Sequence, residues 1–289
     1  MNVETAYATC EGITRREAKN FSYGIRLLRP RERKALSAVY ALARRIDDIG
    51  DGDMEPARKL EALAGSRKAL DELHLHRDDP VLVAVADVAM HYELPLPAFG
   101  DLIDGCEMDV IGVTYESFDD LVVYCRRVAG SIGRLSLSIF GTRGRDDAVM
   151  EADDLGVALQ IVNILRDVKE DRERGRVYLP AGDARSAGCP PDLSGPPEAV
   201  AKLVGLECPR ARDWFRRGFA LLPHLDIRSR ACIGAMAGIY ERLLDRIESD
   251  PIVVTRTRVS LSGTEKLFVA FDALARAASS GLSSTGRSP

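Results

Sequence analysis

A chain of 289 residues with 46% apolar side chains can bury one large core or two small ones. Its 40 basic and 44 acidic residues are mixed along the chain and leave a net charge of −4, so no basic face invites nucleic acid. Cys10, Cys106, Cys125, Cys189, Cys208 and Cys232 have neither metal-ligand spacing nor the density of a disulfide scaffold, and reduced, mostly buried thiols are expected.

The opening MNVETAYATCEGITRREAKN lacks a basic stretch followed by an apolar core. No run reaches the ~18 apolar residues of a bilayer span. The expectation is a cytoplasmic protein whose only membrane contact is peripheral. Apolar residues recur at intervals of three and four, and sustained alternation is scarce, which predicts an all-α, single-domain helical bundle. In chain order the predicted helices cover 15–27, 31–50, 56–73, 79–92, 97–110, 117–140, 146–173, 196–222, 227–249 and 263–277. Residues 1–14 read as an N-terminal extension to a domain spanning 15–277. Pro30, Gly50/Gly52, Pro80, Pro95/Pro97, Gly141/Gly144 and Pro251 separate the periodic runs. The stretch Ala181 to Pro197, with four prolines and three glycines, is predicted to be a loop. The small, polar end of the chain, 278–289, is predicted to be a disordered tail.

Two rows of side chains carry the chemistry. On the second predicted helix, Leu36, Tyr40, Ala43, Asp47 and Asp51 share one face, so an apolar stripe turns into carboxylates. Asp48 adds a third acid, with Arg44 one turn upstream. On the helix near 155–171, Gly156, Gln160, Asn163, Asp167 and Asp171 repeat the spacing, and Gln160 and Asn163 are the only polar residues of LGVALQIVNIL. A helix apolar nearly all round is buried, so this polar row must meet something polar. Mg²⁺ suits it, with Mn²⁺ an admissible substitute, because it takes one or two carboxylates per ion and completes its shell with water and phosphate oxygens. Zinc or iron would call for Cys or His. Only four histidines exist, none spaced with these acids, and His74 and His76 read as solvated. A lone acid pair at helical spacing is commonplace; two such rows indicate a metal–diphosphate site.

Cations and glycines surround the rows. Arg44 and Arg166 are embedded in the acidic motifs and are the favoured phosphate ligands, whereas Lys169, Arg172, Arg174 and Arg176 serve equally well as surface partners of neighbouring acids. Gly130 and Gly133 interrupt a helical run at ~1 kcal/mol each. Close helix packing accounts for them, and so does room for a hydrocarbon tail.

NFSYGIRLL, YALARRIDDIGD, YCRRVAGSIG and NILRDVKEDRERGRVYLP, in this order, resemble the squalene/phytoene synthase family over roughly residues 15–275. MAGIYERLLDRIESDP, RTRVSL and GTEKL resemble most the branch that makes presqualene diphosphate for bacterial hopanoid synthesis. The resemblance implies an isoprenoid-synthase bundle around a central cavity, with Asp47, Asp48, Asp51, Asn163, Asp167 and Asp171 holding Mg²⁺ against diphosphates. It implies diphosphate contacts from Arg44, Arg166, Tyr240 and Arg258, and an active-site flap at Asn20, Phe21 and Tyr23, where Asn20 stands in place of the family's common serine. Squalene synthases that complete the reductive step carry Tyr just before VAG. Arg127 stands there in this chain, which favours a reaction that stops at the cyclopropyl intermediate and needs no NADPH.

The implied reaction ionises one farnesyl diphosphate and couples it head to head with a second in a dry cavity. A phytoene or dehydrosqualene synthase uses the same motifs. Terpene cyclases and chain-elongating prenyltransferases fit the second row less well, and a catalytically silent scaffold of the same fold would have little use for either row. Isoprenoid diphosphates are the expected partners. A membrane surface or a downstream enzyme of the squalene pathway is a further candidate.

Overall fold

Prolines, among them Pro30, Pro80 and Pro97 that read as breakers in the sequence, are helix starts. In the computed structural model, which describes residues 1–143 and 148–284, Pro30, Pro56, Pro80, Pro97 and Pro197 occupy the first turns of α3 (Pro30–Asp51), α4 (Pro56–Asp71), α5 (Pro80–His91), α6 (Pro97–Ile111) and α11 (Pro197–Gly218). There the missing N–H has no helical partner to lose. Side-chain caps add to this. Asp79 accepts from the backbone amides of Val81 and Leu82 at the start of α5, and Asp226 does so for Arg228 and Ser229 at the start of α12 (Ile227–Ser249). Gly112 closes α6 in the left-handed conformation, with φ of 71°.

The remaining helices are α1 (Val3–Glu17), α2 (Phe21–Ile25), α7 (Phe118–Cys125), α8 (Ser131–Phe140), α9 (Val149–Glu173), α10 (Ala181–Ala187) and α13 (Gly263–Ser284). No strand occurs among the described residues. The molecule is an all-α bundle of the isoprenoid-synthase type, with α9 near its centre between α8, α11 and α12. Val157, Ala158, Ile161, Val162 and Leu165 of α9 are at most 1% exposed. No helix of the described residues is long and apolar enough to cross a membrane. All six cysteines are buried and unpaired.

Several expectations change. The first helix begins at Val3 rather than 15, because Ala6, Tyr7, Cys10 and Thr14 recur at helical spacing and are buried where α1 packs on α3 and α5. The run 117–140 is divided, since Arg126–Gly130 forms a π-type turn between α7 and α8. Part of the expected 181–197 loop is α10: Ala184 and Ala187 are buried, and the first amides of α10 donate to the carbonyls of Tyr115 and Glu116. Helix α13 continues through 278–284, where a tail was expected. Residues 285–289 of that tail, Gly144 and the expected helix start at 146 lie outside the described residues. Of the two histidines read as solvated, His74 is exposed but His76 is half-buried, with its Nε2 shielded and unpartnered.

Glycines set how closely α9 approaches its neighbours. A Cβ on Gly133 would lie 2.1 Å from the Ala152 carbonyl oxygen, and one on Gly156 would lie 2.3 Å from that of Ala129. Neither oxygen can yield, because each belongs to helix backbone. Gly205 of α11 is exposed with open space around it. Gly156→Ala is therefore expected to destabilise the protein by roughly 2–4 kcal/mol. Gly205→Ala should stabilise it by up to about 1 kcal/mol. Chemical denaturation of the two variants beside the parent chain checks the contrast.

Candidate active site

Helices α3 and α9 bring their polar rows to one cavity of about 650 Å³. Asp47 and Asp51 from α3 and Gln160, Asn163, Asp167 and Asp171 from α9 line it, together with Asn20, Phe21, Tyr40, Arg44, Gly133, Arg166, Tyr240 and Arg258. Three expected site residues are not part of its wall. Asp48 sits beside its neighbours' face and pairs with Arg44 at 2.5 Å. The Tyr23 hydroxyl lies against Gly263 at the start of α13. Gly130 turns its bare face to Asp153, whose Oδ1 would be 2.4 Å from an added Cβ, so it serves helix packing rather than a hydrocarbon channel. Gly133 does both: it borders the cavity and admits the Ala152 carbonyl.

Arginines already stand at the carboxylates. Arg44 donates to Asp47 at 3.0 Å, and Arg176 donates to Asp51 at 2.5 Å and to the Gly50 carbonyl at 3.1 Å. Asp167 is held by Arg166 Nε at 2.7 Å and by Arg258 Nε at 2.9 Å. The four basic residues left open by the sequence divide accordingly. Arg174 and Arg176 line the cavity, whereas Lys169 bonds the Arg256 carbonyl and pairs with Glu173 at 3.9 Å, and Arg172 is not on the wall.

Half of the Asp47 side chain faces the open cavity, but protein surrounds that cavity on most sides and leaves the carboxyl poorly solvated. Burial first, and Asp51 second, push Asp47 up to about 6. Burial and the neighbouring Asp167 push Asp171 up to about 7 against the opposing charges of Arg176 and Arg174, which pair with Asp51 instead. On the same face the Asn163 amide donates to Gln160 at 3.3 Å, while its Oδ1 is shielded from solvent with no partner. Hard oxygen donors, crowded anions and an orphaned acceptor fit a divalent cation. Among the described residues no three acidic, His or Cys side chains converge tightly enough to cage an ion alone. The two rows therefore suit ions whose shells are completed by water and phosphate oxygens.

Beyond the polar mouth the wall is apolar, with Leu102, Ile132, Leu137, Phe140, Leu221 and Ile233. Phe21 from α2 stacks on Tyr240 from α12 at 5.8 Å, bringing the N-terminal segment to the mouth. Residues not singled out from sequence also border the cavity: Cys106, Asp109, Tyr124 and Tyr178. Tyr178 stands in RVYLP beside the second acidic row, which was a usable signal; Asp109, one of two acids in GCEMDV, offered none.

A cavity with acids and arginines at its mouth and hydrocarbon-lined walls behind is the architecture of an enzyme for amphiphilic diphosphates, and the comparisons agree. The profile of the Squalene/phytoene synthase family matches residues 14–265. A protein of Mycobacterium tuberculosis named "Phytoene synthase" is 47% identical over 285 residues, covering 96% of this chain and 94% of that one. A crystal structure of a dehydrosqualene synthase in complex with ligand superposes with a TM-score of 0.85 at 25% identity, covering 96% of this chain and 98% of its own. Squalene synthase HpnC from Alicyclobacillus acidocaldarius does so with a TM-score of 0.76 at 27% identity, covering 86% and 94%. The chain belongs to the squalene/phytoene synthase family. It is a head-to-head prenyltransferase acting on isoprenoid diphosphates, in a family that works with divalent metal ions.

Crowding of the carboxylates has a measurable sign. Folding holds protons on Asp47 and Asp171 that the unfolded chain releases in the ordinary carboxylate range, so charging them costs stability as pH rises from that range through about 7. Without divalent ions, Asp171→Asn is expected to melt above the parent chain at about pH 8 and no higher than it at about pH 4. Saturating Mg²⁺ should raise the melting temperature of the parent by more than that of the variant, as thermal scans at the two pH values would show.

Proposed function

We propose that the chain condenses two farnesyl diphosphates to presqualene diphosphate and releases its product at that stage, with Mg²⁺ as the ion. The observation that carries this reading is the pair of polar rows on α3 and α9, facing one cavity with apolar walls behind. Asp47, Asp51, Asn163, Asp167 and Asp171 would hold Mg²⁺, and Mn²⁺ could replace it. Bound there, the ion supplies electrostatic stabilisation of the charge that builds on a departing diphosphate.

The chain's own residues do the rest. Arg44, Arg166 and Arg258 sit at the mouth, where their forks can donate to phosphate oxygens in exchange for the carboxylates they now hold. Tyr240, 3% exposed and stacked on Phe21, helps seal the mouth. The apolar wall orients the hydrocarbon chains against each other and keeps water from the allylic cation. The cation is attacked by the double bond of the second chain, and proton loss closes the cyclopropane.

Stopping at presqualene diphosphate is supported by the C-terminal motifs and by Arg127. That residue stands where reductive squalene synthases have Tyr; its Nη1 rests 3.2 Å from Met108 Sδ, and it does not border the cavity. A second reading has its own support: the Mycobacterium relative is named a phytoene synthase, which favours the C20 diphosphate.

Purified protein incubated with farnesyl diphosphate and Mg²⁺, with and without NADPH, is expected to give presqualene diphosphate in both reactions, identified by mass before and after dephosphorylation. Squalene appearing only with NADPH would refute the role given to Arg127. Turnover of geranylgeranyl diphosphate in preference to farnesyl diphosphate would establish the second reading. No turnover of either would return the chain to the scaffold class.

A further inference from the structure

Among the acids on the cavity wall that belong to neither row, one is held by phenols. Asp109, on α6, is surrounded by three tyrosines from different segments. The Tyr124 hydroxyl donates to its Oδ2 at 2.9 Å, and the Tyr178 hydroxyl donates to its Oδ1 at 2.8 Å. The rings of Tyr124 and Tyr178 stack at 5.1 Å, and Tyr115 closes the cluster at 5.6 Å from Tyr124 and 6.3 Å from Tyr178. Tyr124 and Tyr178 are 3% and 9% exposed, and both border the cavity with Asp109. A structural acid could satisfy itself with arginine, as Asp153 does with Arg126 and Arg134. Asp109 instead has each oxygen engaged by a phenol, and Arg176, which holds Asp51, acts on it only through its charge.

This arrangement fixes the direction of two dipoles. A phenol that gives its proton to a carboxylate keeps its oxygen lone pairs for whatever else is near, and its ring becomes more electron-rich. Such groups attract positive charge, and more strongly where water is absent. A phenol whose hydrogen is free to turn into the cavity would offer a cation the wrong end.

We propose that Asp109 is a positioning residue for the carbocation step: it holds the Tyr124 and Tyr178 hydroxyls as donors to itself, so that their oxygens and rings meet the allylic cation. This rests on the reading that the chain ionises an allylic diphosphate. No bond is made or broken by the three residues. They keep the cation in place until the second chain attacks, and a cation held less well is lost to water as an alcohol.

Asp109→Asn tests the idea at constant shape. An amide accepts at one end only and donates at the other, so one of the two phenols must give up its role as donor and release its hydrogen. The full-length chain is incubated with Mg²⁺ and whichever allylic diphosphate the parent couples, and water-quenched alcohol is measured against coupled product. That ratio counts turnovers, so it is insensitive to how much of a variant is folded. It is expected to rise about tenfold in Asp109→Asn, with KM within about threefold of the parent. Tyr178→Phe, which removes one donor and leaves the carboxylate, should show a smaller rise. An unchanged ratio in Asp109→Asn, whatever its rate, would overturn the proposal. Should that variant fail to fold, an unchanged ratio in Tyr178→Phe would do so. A parent chain that makes neither alcohol nor coupled product would overturn the underlying reading, and the proposal with it.

Discussion

The structure depends on a concentration of negative charge that its own interior cannot solvate. Asp47, Asp51, Asp167, Asp171 and Asp109 all border one cavity. Like charges that share a poorly hydrated space raise one another's proton affinity, as Asp47 and Asp171 do. A protein built only for stability would place hydrophobic side chains there. This one arranges rigid cations around the rim instead, with Arg176 on Asp51 and with Arg166 and Arg258 on Asp167. These pairs are provisional. Every arginine at the mouth binds a carboxylate that a divalent ion would want, and a diphosphate would want every one of the arginines. Substrate and ion together let both sets exchange partners without leaving a charge unpaired.

Rigidity of the rows follows from how closely α9 is packed. Gly133 and Gly156 let α8, α9 and the π-type turn approach until backbone carbonyls stand where side chains would be. Backbone in such contact cannot slide, so the turn on which Asn163, Asp167 and Asp171 project is fixed relative to the core. The buried ion network of Asp153 with Arg126 and Arg134 adds polar registry to the same interface, and Gly130 gives Asp153 its space. Glycines that seemed to offer room for substrate mainly locate the helices that bind it.

Much of this was legible in the sequence because helical periodicity and chemistry coincide in the two rows. An apolar stripe that ends in Asp47 and Asp51, and a polar row on an otherwise apolar helix at Gln160 to Asp171, imply a shared interior face before any fold is known. What could not be read was whatever depends on contacts between distant segments. Asp48 has the same sequence context as Asp47, and only the rotation of α3 decides that it pairs with Arg44 away from the cavity. Asp109 lies 15 residues before Tyr124 and 69 before Tyr178, and no local pattern announces that they meet. The helix Val3–Glu17 is hidden in the sequence because its charged residues mask a stripe as short as Ala6, Tyr7, Cys10 and Thr14. The helix within the loop at Ala181 was hidden for another reason: its first amides are satisfied by Tyr115 and Glu116 rather than by a cap in the sequence.

The cavity thus divides its labour by depth. At the mouth, charged groups pair directly with one another and would trade partners when a diphosphate arrives. Most of the remaining wall is apolar, and among its polar members Tyr124, Tyr178 and Asp109 are turned toward one another. A wall that were wholly hydrocarbon would exclude water but give a cation nothing to rest against. A wall of free hydroxyls would give it a nucleophile. Phenols whose protons are committed to a buried carboxylate avoid both faults, since they present electron density without an acidic hydrogen. Committing both oxygens of the anion to the phenols also keeps it from collapsing onto the cation, which would end the reaction before the second chain could attack.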